Sequence, residues 1–254
     1  NYGAPQNVVV RKSDGQWQRF SIPFFHLENA VAGITIDDYD QKWIISPKEN
    51  GLFLFNSGSS IENTGDDRWR YFRKGKGNGN LPSSNVFCAV KDKNGFMWIG
   101  TDNGIGIIQC TQDAIDNTCE AVLPVVQQDN FAGYLFQGEE VHAIAVDGAN
   151  RKWVGTKNGL WLISEDGDKI VYRFTLVNSP LLDNEISAIA INPGTGEVFI
   201  STASGICSFM GTATEGTETH SNVLVYPNPV PPGFQGTIAI RGLASNAQVK
   251  ITEM

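Results

Sequence analysis

The sequence predicts an all-β chain: a β-propeller of four-stranded blades, about four and a half of them in view, followed by the start of an immunoglobulin-like β-sandwich. Three observations carry this expectation. A pattern of apolar strand, Asp-led turn, Trp-centred strand, Asn-Gly turn and third strand recurs along the chain. Its landmark aromatics Trp43, Trp98, Trp153 and Phe199 stand 55, 55 and 46 residues apart. A period of about 50 residues made of short strands marks a solenoid, propeller or array, and four strands per period favour the propeller. After residue 210 the pattern stops, and a Gly/Thr-rich stretch leads into a proline-marked segment of different texture.

The clearest copy runs from Ala89 to Ile108. Apolar residues before Asp92 suit a strand, Asp92-Lys93-Asn94-Gly95 suits a tight turn, and Met97-Trp98-Ile99 suits a second strand ending at Gly100-Thr101. Asn103-Gly104 then supplies the positive φ that a two-residue hairpin demands, so residues 105–108 return antiparallel. Upstream, Asp37, Trp43 and Gly51 hold the same places; downstream, Asp147, Trp153 and Gly159 do so; a weaker fourth copy has Asn192, Phe199 and Gly205.

Taken in order, residues 1–28 contain two strand-like stretches around a Ser13-Asp14-Gly15 turn, which read as the outer strands of a preceding blade. The chain shows no initiating Met and no basic segment followed by an apolar stretch, so it reads as a fragment of a longer protein whose remaining blades lie upstream. Residues 29–210 hold the four copies. Their first strands carry small or β-branched residues, Ile34 and Ile36, Ala89 and Val90, Ala143 and Ala145, Ala188 and Ala190, as crowding near an axis requires. Residues 68–72 and 169–174 alternate charge with aromatics and suit outer edge strands. Residues 211–221 read as a linker, and residues 222–230, 236–241 and 247–251 as strands of a truncated second domain over 222–254.

Composition excludes several functions. With 41% hydrophobic residues the 254-residue chain has ample material for a core, no apolar run approaches the ~20 residues of a membrane span, and a net charge of −8 argues against a nucleic-acid partner. Cys110 and Cys119 flank a short hairpin, a spacing suited to a disulfide in an exported protein, whereas Cys88 and Cys207 lie within strands as small hydrophobes. No Cys/His spacing calls for a metal, and no cofactor motif is present. His26, His142 and His220 have no companion nucleophile, so no catalytic constellation is legible and the chain is expected not to be an enzyme.

Asp37, Asp92 and Asp147 are expected to cap turns, and Trp43, Trp98, Trp153 and Phe199 to pack between adjacent blades. If a ligand binds, the candidates are the loops entering first strands and joining second to third strands. These carry Asn85, Asp102, Glu139, Glu140, Lys157, Asp183 and Asn184. Phe131, Tyr134 and Phe136 form an aromatic cluster in a long insertion, suited to a partner-binding patch or to a lid over the core.

The recurring V..I..D..G..WIGT.NGL combination resembles the two-component-regulator propeller repeat of Bacteroidetes surface and periplasmic proteins, over roughly residues 30–209. Only Gly100-Thr101 and Gly155-Thr156 keep its Gly-Thr step; Ile45-Ser46 and Ser201-Thr202 depart from it. The tail elements V.YPNPV, G.I.I.GL and A.V.I..M are similar to the C-terminal sorting domain of type IX secretion proteins. The two resemblances together imply a non-enzymatic component of the type IX attachment complex at the cell surface or outer membrane. Its implied partners are the sortase, outer-membrane barrel proteins and anionic lipopolysaccharide. A ligand-sensing propeller of a hybrid two-component system, or a secreted cargo propeller that binds glycans, are the alternatives.

Overall fold

The computed structural model describes residues 8–27, 31–116, 118–128, 131–216, 219–220, 222–236, 238–244 and 247–250. Its named elements are all strands, joined into antiparallel sheets. Sheet I has four, β1 (Gly33–Ile36), β2 (Lys42–Ser46), β3 (Gly51–Asn56) and β4 (Arg68–Phe72). Sheet II has three, β5 (Val86–Lys91), β6 (Met97–Thr101) and β7 (Gly104–Ile108). Sheet III has four, β8 (Val141–Val146), β9 (Lys152–Thr156), β10 (Gly159–Ile163) and β11 (Ile170–Phe174). Sheet IV has three, β12 (Ile186–Ile191), β13 (Glu197–Thr202) and β14 (Gly205–Met210). Each sheet meanders in sequence order, and the first strands β1, β5, β8 and β12 adjoin in turn, the radial arrangement of propeller blades.

The second strand is buried on both faces in sheets I to III because sheets pack on both sides of it. Trp43 packs with Val86, Met97 and Ile99 of sheet II, Trp98 with Val141 and Val154 of sheet III, and Trp153 with Ile186 and Val198 of sheet IV. Phe199 holds the equivalent register, opposite Ala190 and Ser208, yet is 40% exposed, since the described residues place no further sheet over it. The Gly-Thr step has a steric cause. A Cβ on Gly100 would lie 2.8 Å from Val141, and one on Gly155 2.6 Å from Ile186, the first residues of the next inner strands. Thr101 and Thr156 then close the following turn by donating to the carbonyls of Gly104 and Gly159 at 2.9 and 3.1 Å. Gly51, Gly104, Gly159 and Gly205 all have positive φ, and at Gly51 and Gly159 a side chain would also strike the outer-strand carbonyls of Phe72 and Phe174.

Several expectations need correction. Four strands per repeat hold in sheets I and III only. In sheet II the outer position goes to residues 109–116 and 118–122, which carry the Cys110–Cys119 disulfide and, among the described residues, bridge to β7 through Ile107 and Val122. Arg70 of β4 donates to the Ala114, Asp116 and Cys119 carbonyls, so this loop covers the edge of sheet I and cannot also run as a strand. In sheet IV the chain leaves β14 at Gly211 and turns away. Crowding of the first strands is also uneven: Ile34 and Ile36 are 55% and 53% exposed because β1 has a first-strand neighbour on one side only.

In the insertion, β15 (Val125–Gln128) pairs with β16 (Phe131–Tyr134). The hairpin β17 (Val8–Arg11) and β18 (Trp17–Phe20) packs Phe20 and Ile22 on Ile44, Phe53 and Phe55 of sheet I. In the tail, β19 (Leu224–Tyr226) pairs with β20 (Ala239–Arg241). The tail strands are thus shorter than expected, and residues 247–250 are not a strand; residue 251 lies outside the described residues. The tail hairpin is largely exposed, and two strands without a packed face have little to extend them. Among the described residues of the tail these two strands form its one sheet.

One buried ion pair ties sheet III to sheet II. Lys152 and Asp92 are 0% and 1% exposed in their side chains, with Nζ 2.9 Å from Oδ2. Nζ also donates to the carbonyls of Asn150 and Glu165 and lies 4.4 Å from the Trp98 ring centroid. Burial pulls the Lys152 pKa below its ordinary value even with Asp92 opposing that shift. Asp92→Ala strands this cation and the Trp98 N–H together, and urea unfolding is expected to show a loss of ~3–5 kcal/mol. The double variant Asp92→Asn with Lys152→Met removes the buried charge and is expected to recover most of that loss; a double variant as unstable as the single one would show that the ion pair is not the cause.

Candidate functional site

The inner strands β5, β8 and β12, where they run into the Asp-led turns, line a cleft of about 800 Å³. Val90, Ile144, Val146, Ile189 and Ile191 make its apolar walls, the β-branched residues that narrow first strands select. Charge sits at the mouth. Lys91 and Lys93 flank Asp92 on sheet II, Asp38 comes from sheet I, and Glu215 comes from the chain after β14. Lys91 pairs with Asp38, and Lys93 with Glu215. Asp92 itself is turned inward: Oδ1 accepts the N–H groups of Asn94 and Phe96, and Oδ2 that of the Trp98 indole at 2.9 Å. The mouth therefore presents two lysines, each neutralised by a carboxylate from a different part of the chain.

Residues 211–216 run across this end of the sheets. Gly211 N–H donates to the Gly196 carbonyl at 3.0 Å and Glu215 N–H to the Pro193 carbonyl at 2.8 Å, while Arg151 of sheet III donates to Thr212 Oγ1 at 3.1 Å. The stretch expected to be a linker has no strand, and up to residue 216 it is bonded to sheets II, III and IV.

The residues anticipated as ligand contacts lie away from the cleft, where loops enter first strands and join second to third strands. They bond chiefly to one another and to neighbouring backbone. Asn85 donates to Asp102 at 3.2 Å, Glu140 sits 3.4 Å from Lys157 Nζ and 3.1 Å from His142 Nε2, and Asn158 donates to Glu139 at 2.7 Å. Asp183 accepts from Ser204, and Asn184 accepts the Leu176 N–H. The hydrogen bond from His142, with a further one from Lys157, holds the Glu140 carboxyl below its ordinary pKa. Of the insertion aromatics, Phe136 is buried edge-on to Trp161 and Tyr134 is half exposed beside it; the side chain of Phe131 lies outside the described residues.

Asp37 and Asp147 cap their turns as Asp92 does. Cys88 is packed against the core cluster of sheets II and III, and burial pushes its thiol up to about 12, which makes it inert. Sequence reasoning missed the cleft and its two lysines. The signal was there in Lys91-Asp92-Lys93, which alternates outward cations around an inward carboxylate.

The family described as two component regulator propeller matches residues 80–103, the last part of the approach to sheet II through its Asn-Gly turn. Among solved structures, PorZ, a surface component of the type IX secretion system of Porphyromonas gingivalis, is 31% identical with a TM-score of 0.71 over 91% of this chain. The chain spans 32% of that structure's length. The extracellular domain of the hybrid two-component system BT3049 of B. thetaiotaomicron matches 87% of this chain and 29% of its own at 19% identity and a TM-score of 0.56. Virginiamycin B lyase of Staphylococcus aureus matches 79% of this chain and 61% of its own at 13% identity and a TM-score of 0.51. The last two likenesses show the propeller fold alone. No curated protein sequence matches the chain. Together these comparisons show a propeller fold, with one two-component-regulator propeller repeat matched over residues 80–103 and a likeness to part of PorZ.

The Glu140 pairing carries a pH dependence of known sign. Its folded pKa lies below the ordinary 4.5, so its contribution is present above that value and is lost as pH falls through the folded pKa. The group is more than a third exposed, so the effect is ~0.5 kcal/mol or less. Glu140→Gln is expected to unfold slightly earlier than the parent protein at pH 7, with the gap narrowing as the pH is lowered below 4.5; a gap that does not narrow on acidification would assign the effect elsewhere.

Proposed function

We propose that the chain is a non-enzymatic binding and assembly part of a type IX secretion attachment complex at the bacterial surface. The observation that carries this reading is the 31% identity to PorZ over 91% of this chain, well above the level of the other propellers described. In this reading the rigid ring segment presents one end of its sheets to partners, namely the sortase and outer-membrane barrel proteins, and holds anionic lipopolysaccharide destined for secreted cargo. The Tyr226-Pro227-Asn228-Pro229 tail, which resembles a sorting domain, tethers the ring.

The sensor reading draws on the likeness to the BT3049 extracellular domain and on the repeat family itself. Lyase and lactonase propellers share the fold at 13% identity, and the loop residues at that end are engaged in mutual hydrogen bonds, so an enzymatic reading has less behind it. Among the described residues no helix is long and apolar enough to cross a membrane.

Affinity purification of the full-length protein from outer membranes tests the assembly reading. Recovery with a sortase and a barrel protein, the tail retained by mass, is the expected result. Recovery alone from the culture medium with the tail removed would make it cargo, and recovery joined to a kinase would make it a sensor; either overturns the proposal.

A further inference from the structure

The segment that crosses the cleft mouth is seated more closely than a spacer needs to be. A Cβ on Gly148, in the Asp-led turn of sheet III, would lie 2.0 Å from the Thr214 carbonyl oxygen. A Cβ on Gly196 would lie 2.6 Å from that of Ala213, and one on Gly211 2.4 Å from that of Gly196. Gly148 does not have a left-handed φ, so its own turn does not require glycine; the passing backbone does. Residues 211–216, Gly-Thr-Ala-Thr-Glu-Gly, contain one charged side chain, and it is the one set on Lys93. Behind that contact lies the apolar cleft, which Glu215 and Gly216 help to line.

We propose that residues 211–216 are a strap closing the cleft, with the Glu215 carboxylate occupying an anion site at Lys93, and that a ligand bearing an anionic group on an apolar body opens it by taking that place. Glu215 stands where such a ligand's head group would go, and Val90, Ile144 and Ile189 would receive its body. Lys93 and Glu215 are 37% and 40% exposed, so the contact is weak enough to exchange. Because strap and ligand compete for one cation, each must weaken the other by the same factor. The strap continues into the tail hairpin, so an occupied cleft would also loosen the root of the tail. The ligand is of the anionic, amphiphilic class that the assembly reading gives the ring, so the inference rests on that reading for its ligand and deepens it; the partner proteins take no part, and failure of octyl phosphate to bind would leave the co-purification result standing.

Octyl phosphate below its micelle concentration is the probe, with inorganic phosphate as the head-group control, and the purified chain is followed by calorimetry and by amide exchange at Gly211 and Glu215. Octyl phosphate is expected to bind, to accelerate exchange at both amides, and to bind about fivefold or more tightly to Glu215→Gln, with Lys93→Gln weakened by a similar factor. Gly148→Ala, which lifts the strap by steric contact, is expected to act as Glu215→Gln does; if it fails to fold, Glu215→Gln still decides. Equal affinity in the parent and Glu215→Gln, binding without faster exchange, absence of binding, or inorganic phosphate binding as well as octyl phosphate would each overturn the proposal.

Discussion

The fold depends on how each turn aspartate divides its two oxygens. In Asp37 and Asp92 one oxygen accepts the N–H groups two and four residues on, which closes the turn, and the other accepts the indole N–H six residues on. A single side chain thus fixes the turn and the orientation of the tryptophan that the next sheet must cover. The spacing is strict because the turn and two strand residues bring the indole back over the carboxylate. In sheet III the arrangement changes. Arg151 takes the second oxygen of Asp147, and Trp153 Nε1 is left without a partner in a fully buried place. An orphaned buried donor costs about 1–3 kcal/mol, and Arg151, which displaces it, also reaches Thr212 at 3.1 Å.

From that constraint the packing between sheets follows. In sheets I and II a tryptophan held at its own turn becomes a fixed knob and the next sheet supplies the hole, Val86 and Met97 for Trp43 and Val141 and Val154 for Trp98, whereas Trp153, without that bond, is placed by packing against Ile186 and Val198. The glycine of the Gly-Thr step lets the next first strand approach, so turn, knob and hole form one unit repeated along the chain. Sheet IV shows what happens when the unit lapses. Asn192 still caps its turn, through the N–H groups of Gly194 and Thr195, but Phe199 has no N–H to offer and lies seven residues on.

What the sequence made legible follows from the same physics. Strands next to a periodic turn were readable because Asp92, Trp98 and Gly104 are each local requirements of backbone geometry. The outer positions were not, because what occupies them is settled by distant partners: Arg70 draws the carbonyls of Ala114, Asp116 and Cys119 over β4, and no pattern within this part of the sequence announces it. The cleft was hidden for a related reason. Its walls come from three sheets, and its closing segment from a stretch whose Gly and Thr content reads as spacer until the near contact at Gly148 gives those small residues a purpose.

The division of labour among carboxylates also resolves a conflict between the chain's acidity and an anionic ligand. A net charge of −8 describes the whole surface, whereas binding responds to the charges left free within about a Debye length of ~8 Å. At the cleft mouth Asp92 has committed both oxygens to the protein and to Lys152, so it is spent as a local repeller. Of the other carboxylates that line the cleft, Asp38 belongs to the neighbouring sheet and Glu215 to the strap, while Glu165 stands beside the turn, held by Asn94 and Asn150. Lifting the strap removes one negative charge without moving either lysine, since both are anchored on the strand and turn that Asp92 holds. On the strap proposal, the charge offered at the mouth depends on whether the strap is seated as well as on composition, and an acidic protein can present Lys93 to an anion once Glu215 has left it.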